Sequence, residues 1–199
     1  MFTAKELRKK SIAEYLLYMW QIEDIIRAMG CSMPVIRKTY IDKFTDYTED
    51  QKEEEADWFG NLIRMMNEEG KRESGHLNIN SIVLQDMVDL HNRLLQSTRF
   101  PLYNAQYYKV LPFIVELRAK NHRADEHNAR ETAVVTQYEK GEIETCFDAL
   151  YGRMLMALQQ KKVTPETENA IKEITNFIGM LSDFYIKDET EGLKFGDEE

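Results

Sequence analysis

Apolar residues recur along residues 11–29 with the period of an α-helix, and one carboxylate interrupts their stripe. At about 100° per residue, Glu23 falls on the apolar face between Met19 and Ile26. An unpaired carboxylate buried on such a face costs several kcal/mol. We therefore expect Glu23 to have a partner.

Capping patterns and glycines delimit the predicted helices. Thr3 and Glu6 form a capping box that predicts one helix over residues 4–29, ended by Gly30. A second box at Thr48 predicts the start of another helix. Periodicity predicts the remaining helices over residues 33–43, 81–96, 104–121, 142–160 and from 165 onward, and Pro112 should kink or restart the third of these. With no alternating strand pattern, the sequence predicts an all-α, single-domain bundle of about six helices.

Two segments depart from this periodicity. Residues 121–141 are rich in charge and predict a long exposed loop or a protruding helical hairpin. Residues 187–199 are acidic and predict a disordered tail. The expected organisation is a bundle over residues 1–186, with a polar insertion at about 121–141, followed by the tail.

Composition narrows the class of protein. The chain has 199 residues, of which 43% are hydrophobic and 31% charged, as in soluble globular proteins. Its net charge of −9 argues against nucleic acid as a partner. The absence of a long uncharged apolar stretch argues against a membrane span. Cys31 and Cys146 lie far apart and suggest reduced thiols, so we expect a cytoplasmic protein.

Four blocks of sequence carry a resemblance: IAEYLLYMWQIEDIIRA at 12–28, GHLNIN at 75–80, PFIVELRAK at 112–120 and EIETCFDALYG at 142–152. Together they resemble an uncharacterised all-helical Bacteroidetes family, a domain of unknown function. The resemblance implies an all-helical cytoplasmic protein of bacterial type. It supplies no activity and no catalytic residue that can be carried over.

Motifs for catalysis or metal binding are poorly represented. No G-x-S-x-G, Walker or Rossmann glycine pattern occurs. The one E-x-x-H pattern, Glu73 to His76, lies in a glycine-containing loop rather than on a helix. Cys146 falls on an apolar stripe, where a thiol is inert. We therefore expect no catalytic residue, no metal and no cofactor.

Inward-facing polar residues are the remaining candidates for a site. Arg118 continues the apolar stripe of its helix, His91 lies within another, and Arg27 is four residues from Glu23. One interpretation is a structural pair between Glu23 and either arginine, with His91 bonded to a backbone carbonyl. The other is a ligand-binding pocket formed by Glu23, Arg118 and His91.

Two functions follow from these observations. The first is a non-enzymatic protein that acts through contacts with an unknown protein partner or as a homodimer. It rests on apolar residues expected on outer faces: Leu17, Trp58, Met65 and Phe113. The alternative is a small-molecule-binding or enzymatic bundle with a polar pocket around Glu23 and Arg118.

Overall fold

A computed structural model describes the backbone of residues 1–132 and 140–196, and the side chains of residues 1–120 and 140–196. The described chain is 79% helical and contains no strand, which confirms the all-α class. It contains eight α-helices rather than about six. They are α1 (Phe2–Lys10), α2 (Ile12–Ala28), α3 (Met33–Thr39), α4 (Glu49–Glu68), α5 (Asn78–Gln96), α6 (Pro101–Thr132), α7 (Glu142–Leu158) and α8 (Pro165–Glu191), with a 3-10 helix at Ile41–Lys43 after α3.

The predicted first helix is divided at Ser11. Its backbone is extended, with φ −156° and ψ 111°, and its hydroxyl accepts a hydrogen bond from the amide of Glu14 as the N-cap of α2. Serine competes for backbone hydrogen bonds in this way, and so it favours helix starts over helix interiors. The expected capping box at Thr3 does not form. Instead α1 begins at Phe2, whose amide donates to the buried carboxylate of Glu55 on α4.

Two predicted starts are confirmed in detail. Thr48 and Gln51 exchange side-chain and backbone hydrogen bonds at the start of α4, which is a complete capping box. The hydroxyl of Thr164 accepts from the amide of Thr167, and Pro165 begins α8. Both starts were readable because capping depends on residues within one turn.

Helix α6 is longer than predicted and is not restarted at Pro112. The proline is exposed, as is Tyr108, the residue whose carbonyl loses its hydrogen-bond donor. Water can therefore satisfy that carbonyl. The helix continues to Thr132, so the first part of the predicted polar insertion is helical. Residues 133–139 of that insertion lie outside the described residues.

The boundary predicted at residue 186 also moves. Helix α8 ends at Glu191, before Gly192 with φ 74°, so the first residues assigned to the tail are helical. Beyond them, the carbonyl of Phe195 accepts from Ser97, and the ring of Phe195 lies 4.1 Å from the Arg93 guanidinium. Phe195, an aromatic residue within the acidic segment, thus packs this part of the predicted tail against Arg93.

The chain forms two compact units, Met1–Gln85 and Asp86–Glu199, whose boundary falls within α5. The core of the first unit is formed by α1 to α4 and the start of α5, including Met19, Ile22, Ile26, Ile36, Ile41, Phe59, Leu62, Met66 and Leu77. In the second unit, α6, α7 and α8 pack on one another. The single-domain organisation stays a prediction.

Candidate functional site

The carboxylate of Glu23 is completely buried in the first unit and accepts hydrogen bonds from the start of α5. Its Oε1 accepts from the Leu77 amide at 2.9 Å and from the Asn80 side-chain amide at 2.7 Å. Its Oε2 lies 2.7 Å from Nδ1 of His76. These donors suit the acceptor-only character of an ionised carboxylate. Glu23 thus ties the middle of α2 to the first turn of α5.

Arg27 extends this connection to the loop before α5. Its Nη2 lies 3.8 Å from Oε2 of Glu23. The same guanidinium donates to two loop carbonyls, those of Lys71, at 3.2 Å from Nε, and Gly75. It also pairs with Asp24 at 2.8 Å. One cation therefore balances the buried acid and fixes both ends of a short loop.

His76 lies at the edge of this cluster. Its ring stacks on Trp20, with centroids 4.0 Å apart and an interplanar angle of 13°. Its side chain is 35% exposed, whereas that of Glu23 is fully buried. When Nδ1 donates to the carboxylate, Nε2 is the acceptor nitrogen of the neutral ring. The carboxylate of Glu23 thus orients the imidazole, and the contacts of His76 with Glu23 and Trp20 hold the loop before α5 against α2.

The expectation that Glu23 has a partner is confirmed, and Arg27 is one of the two arginines proposed for it. Among the described residues, His76, Leu77, Asn80 and Arg27 contact the carboxylate, and all four belong to the first unit. Arg118 belongs to the second unit, and its pairing with Glu23 stays a prediction. Sequence reasoning missed His76 and Asn80. His76 lies in the loop before α5 and Asn80 lies in the first turn of that helix, so no pattern within one helix marked them as partners of Glu23.

A cavity of about 450 Å³ lies beside α1 in the first unit and is called the α1 pocket below. This volume falls within the range typical of small-molecule sites. Its apolar walls come from α1, α2, α4 and α5. The lining residues are Met1, Ala4, Lys5, Arg8, Lys9, Tyr15, Met19, Trp58 and Ile79.

Three cationic side chains from α1 lie at this pocket. Lys5, Arg8 and Lys9 are spaced i, i+3 and i+4, so they share one face of the helix. The Arg8 guanidinium carbon lies 5.9 Å from the centroid of the Tyr15 ring. Burial raises the pKa of Tyr15 above its usual value, although Arg8 opposes the shift. The phenol at the pocket is therefore a neutral hydrogen-bond donor at physiological pH.

The Glu23 cluster and the α1 pocket share structural elements. Met19 lines the pocket one turn before Glu23 on α2, and Ile79 lines it one residue before Asn80 on α5. Because Glu23 hydrogen-bonds Asn80 and the Leu77 amide, it fixes the segment that presents Ile79. Glu23 is thus a positioning residue for one wall of the pocket rather than part of its lining.

His91, the third candidate, belongs to the second unit and is only 4% exposed, as expected. Its Nδ1 lies 2.7 Å from the hydroxyl of Tyr103, not at the backbone carbonyl that we expected. Its Nε2 lies 4.0 Å from a carboxylate oxygen of Glu142, which accepts from Tyr107 at 2.9 Å. Burial lowers the pKa of His91, with Glu142 opposing, and burial raises that of Tyr107 to about 12. The polar atoms of His91, Tyr103, Tyr107 and Glu142 therefore satisfy one another.

The apolar residues expected on outer faces are half-buried. Trp58 and Met65 both pack against the core of the first unit, and Trp58 also lines the α1 pocket. Leu17 and Phe113 are likewise half-buried. These residues therefore give less support to a protein interface than their sequence positions suggested.

The remaining candidates for chemistry are the two thiols and a metal site. Burial raises the pKa of Cys146, which is fully enclosed, and Cys31 is a half-buried free thiol. Within residues 1–120 and 140–196, no three His, Cys, Asp or Glu side chains lie close enough together to hold a metal ion. None of the described helices has the length and apolarity needed to cross a membrane.

Comparison with known proteins assigns a family but no activity. Neither a curated protein nor a solved structure matches this chain. One family model matches residues 1–192, which is nearly the whole sequence. The chain therefore belongs to the family described as "Domain of unknown function (DUF4924)".

Proposed function

We propose that this protein is a non-enzymatic binding protein whose first unit takes a small molecule in the α1 pocket. The observation that carries the proposal is the cavity of about 450 Å³, with walls from four helices of one compact unit. Ligand sites are typically mostly apolar cavities of this size with a few converging polar groups. Lys5, Arg8, Lys9 and Tyr15 are the polar groups here.

The composition of the pocket supports binding without catalysis. Among the described residues that line it, none is a serine, cysteine, histidine, aspartate or glutamate. Nucleophilic catalysis needs a nucleophile with a base within hydrogen-bonding reach, and general acid–base catalysis needs a group that titrates near neutral pH. Burial lowers the pKa of the Met1 amino group, and this group is bound to the carboxylate of Glu55. The other lining groups are cations, a phenol and apolar surface, which recognise a ligand.

The proposal modifies the expected pocket around Glu23, Arg118 and His91. Glu23 contributes by positioning α5, while its own oxygens are occupied by His76, Leu77 and Asn80. Neither Arg118 nor His91 is among the residues that line the α1 pocket.

Calorimetric titration with decanoate and with 1-decanol tests whether the pocket binds small molecules at all. We expect saturable binding of at least one of them with one site per chain. Ile79→Gln should weaken that binding about fivefold, because roughly 1 kcal/mol of apolar contact is removed from the wall. Ile82→Gln is the matched control, since Ile82 lies on the same helix, is 60% exposed and does not line the pocket. Equal affinities of the two variants would contradict the site, as would no binding by the unmodified protein.

A protein-contact function is the second candidate. It is supported by large apolar side chains exposed in the second unit, notably Leu102 at 78% and Leu158 at 71%. Isolated exposed apolar residues are common on monomers, so this support is weaker than that of a formed cavity. Sedimentation over a hundredfold concentration range tests it: self-association that is lost in Leu102→Gln would favour it, and a constant monomer would exclude a homodimer.

A further inference from the structure

We infer that the ligand of the α1 pocket is a free, single-chain amphiphile with an anionic head group, such as a medium-chain carboxylate. This inference rests on the proposed function and specifies its ligand. It depends on three features of the pocket: its volume, its apolar walls and the position of its cations.

The volume sets the size of the ligand. A water molecule occupies about 30 Å³ in the liquid, so 450 Å³ corresponds to about 15 non-hydrogen atoms. A chain of about ten to thirteen carbons with a carboxylate matches this estimate. A two-chain membrane lipid exceeds it severalfold. The cavity therefore fits a free amphiphile rather than a whole bilayer lipid.

The walls require an apolar body. Ala4 and Met19 are buried, Trp58 is half-buried, and Ile79 is 38% exposed. Methionine and tryptophan side chains offer polarisable and flat apolar surfaces that suit an alkyl chain. A ligand that was polar along its whole length would lose its hydration against these side chains without recovering hydrogen bonds.

The cations require an anionic end. Ala4, Lys5, Arg8 and Lys9 form the stripe of α1 that faces the pocket, and Met1, the N-cap residue, extends it to five residues. Three of its five residues are cations in a protein whose net charge is −9. The Arg8 guanidinium has the planar donor geometry that matches a carboxylate, and Tyr15 adds a neutral hydroxyl donor.

The helix dipole offers a different explanation for part of this pattern. Cations in the last turn of a helix interact favourably with its C-terminus, which accounts for Arg8, Lys9 and Lys10. The helix dipole does not account for Lys5, because Lys5 lies in the first half of α1. Nor does it explain why Lys5 lies on the same pocket-facing stripe as Arg8 and Lys9. Lys10 is a useful contrast, because it shares the dipole position but does not line the pocket.

The test is calorimetric titration of the full chain with decanoate, 1-decanol and decyltrimethylammonium, which share an alkyl chain and differ in charge. Decanoate should bind about tenfold more tightly than 1-decanol, and the cation should bind most weakly. Arg8→Gln should reduce decanoate affinity about tenfold while leaving that of 1-decanol unchanged, whereas Lys10→Gln should change neither. The double variant with Lys5→Gln and Lys9→Gln tests the same point at exposed positions if Arg8→Gln does not fold.

The possible results separate the inference from the proposed function. Equal affinity for decanoate and 1-decanol would overturn the anionic head group and leave the pocket in place. Failure of all three probes to bind would refute the proposed function itself. Co-sedimentation with phosphatidylglycerol vesicles, without binding of monomeric decanoate, would overturn the assignment to a free molecule.

Discussion

Glu23→Ala is the substitution with the largest predicted effect on the first unit. The wild-type carboxylate accepts hydrogen bonds from the Leu77 amide and the Asn80 side chain, and both residues are completely buried. Alanine would leave these two donors without acceptors, at about 1–3 kcal/mol each. Arg27 would lose one partner but keep Asp24, so its loss adds little. We therefore expect a decrease of about 4 kcal/mol in the free energy of unfolding.

Glu23→Gln separates the hydrogen bonds from the charge. Its carbonyl oxygen can still accept from Leu77 and Asn80, while its amide meets Nδ1 of His76, which accepts in the other neutral tautomer. Because these hydrogen bonds no longer have a charged acceptor, they are weaker, and we expect the free energy of unfolding to fall by about 1–2 kcal/mol. Asp24→Asn is the control, because its side chain also pairs with Arg27 but is 48% exposed. An exposed pair of this kind contributes at most about 1 kcal/mol.

Urea unfolding followed by tryptophan fluorescence measures these differences in the relevant part of the protein. Both tryptophans, Trp20 and Trp58, lie in the first unit, so the signal reports that unit. Hydrogen exchange at the Leu77 amide adds a local measurement, and its protection should fall in Glu23→Ala. A loss below 1 kcal/mol in Glu23→Ala, or one no larger than in Asp24→Asn, would refute the account of the buried cluster.

Three further predictions concern the helix break, the thiols and the buried histidine. Ser11→Ala removes the N-cap of α2 and should lower the free energy of unfolding by about 1 kcal/mol, whereas Ser11→Asp should retain it; equal stability of the three proteins would contradict the cap. A thiol reagent should modify Cys31 in the native protein and Cys146 only in denaturant, because burial raises the pKa of Cys146; rapid reaction in Cys31→Ser would contradict this. Burial lowers the pKa of His91, so the folded state binds fewer protons than the unfolded state, and stability present above pH 6.5 should fall as the pH drops below that value. As the pH falls, the free energy of unfolding should decrease more steeply than in His91→Gln, by at most about 1.4 kcal/mol per pH unit. Parallel pH profiles of the two proteins would contradict this prediction.

The sequence revealed features that depend on neighbouring residues. Thr48 with Gln51 and Thr164 with Pro165 mark helix starts because capping groups lie within one turn of each other. The burial of Glu23 and His91 followed from helical periodicity alone.

The features that the sequence did not reveal depend on distant contacts. Arg27 lies four residues from Glu23 and was among its expected partners, whereas His76, Leu77 and Asn80 lie 53 to 57 residues further along the chain. Periodicity within a helix carries no information about these three. Similarly, the start of α1 depends on Glu55 of α4, and so the local capping box at Thr3 gave the wrong boundary. The α1 pocket was not predicted, because its walls come from four helices that only the tertiary structure brings together.

The indole N–H signals of the two tryptophans in ¹⁵N-labelled protein provide the most direct test of the α1 pocket. Trp58 lines the pocket, whereas Trp20 stacks on His76 and does not line it. During titration with decanoate, the Trp58 signal should shift saturably and the Trp20 signal should move much less. In Arg8→Gln the same shift should require about tenfold more decanoate. A Trp58 signal that stays unchanged at millimolar decanoate, or equal and non-saturating shifts of both signals, would contradict a ligand site in this pocket.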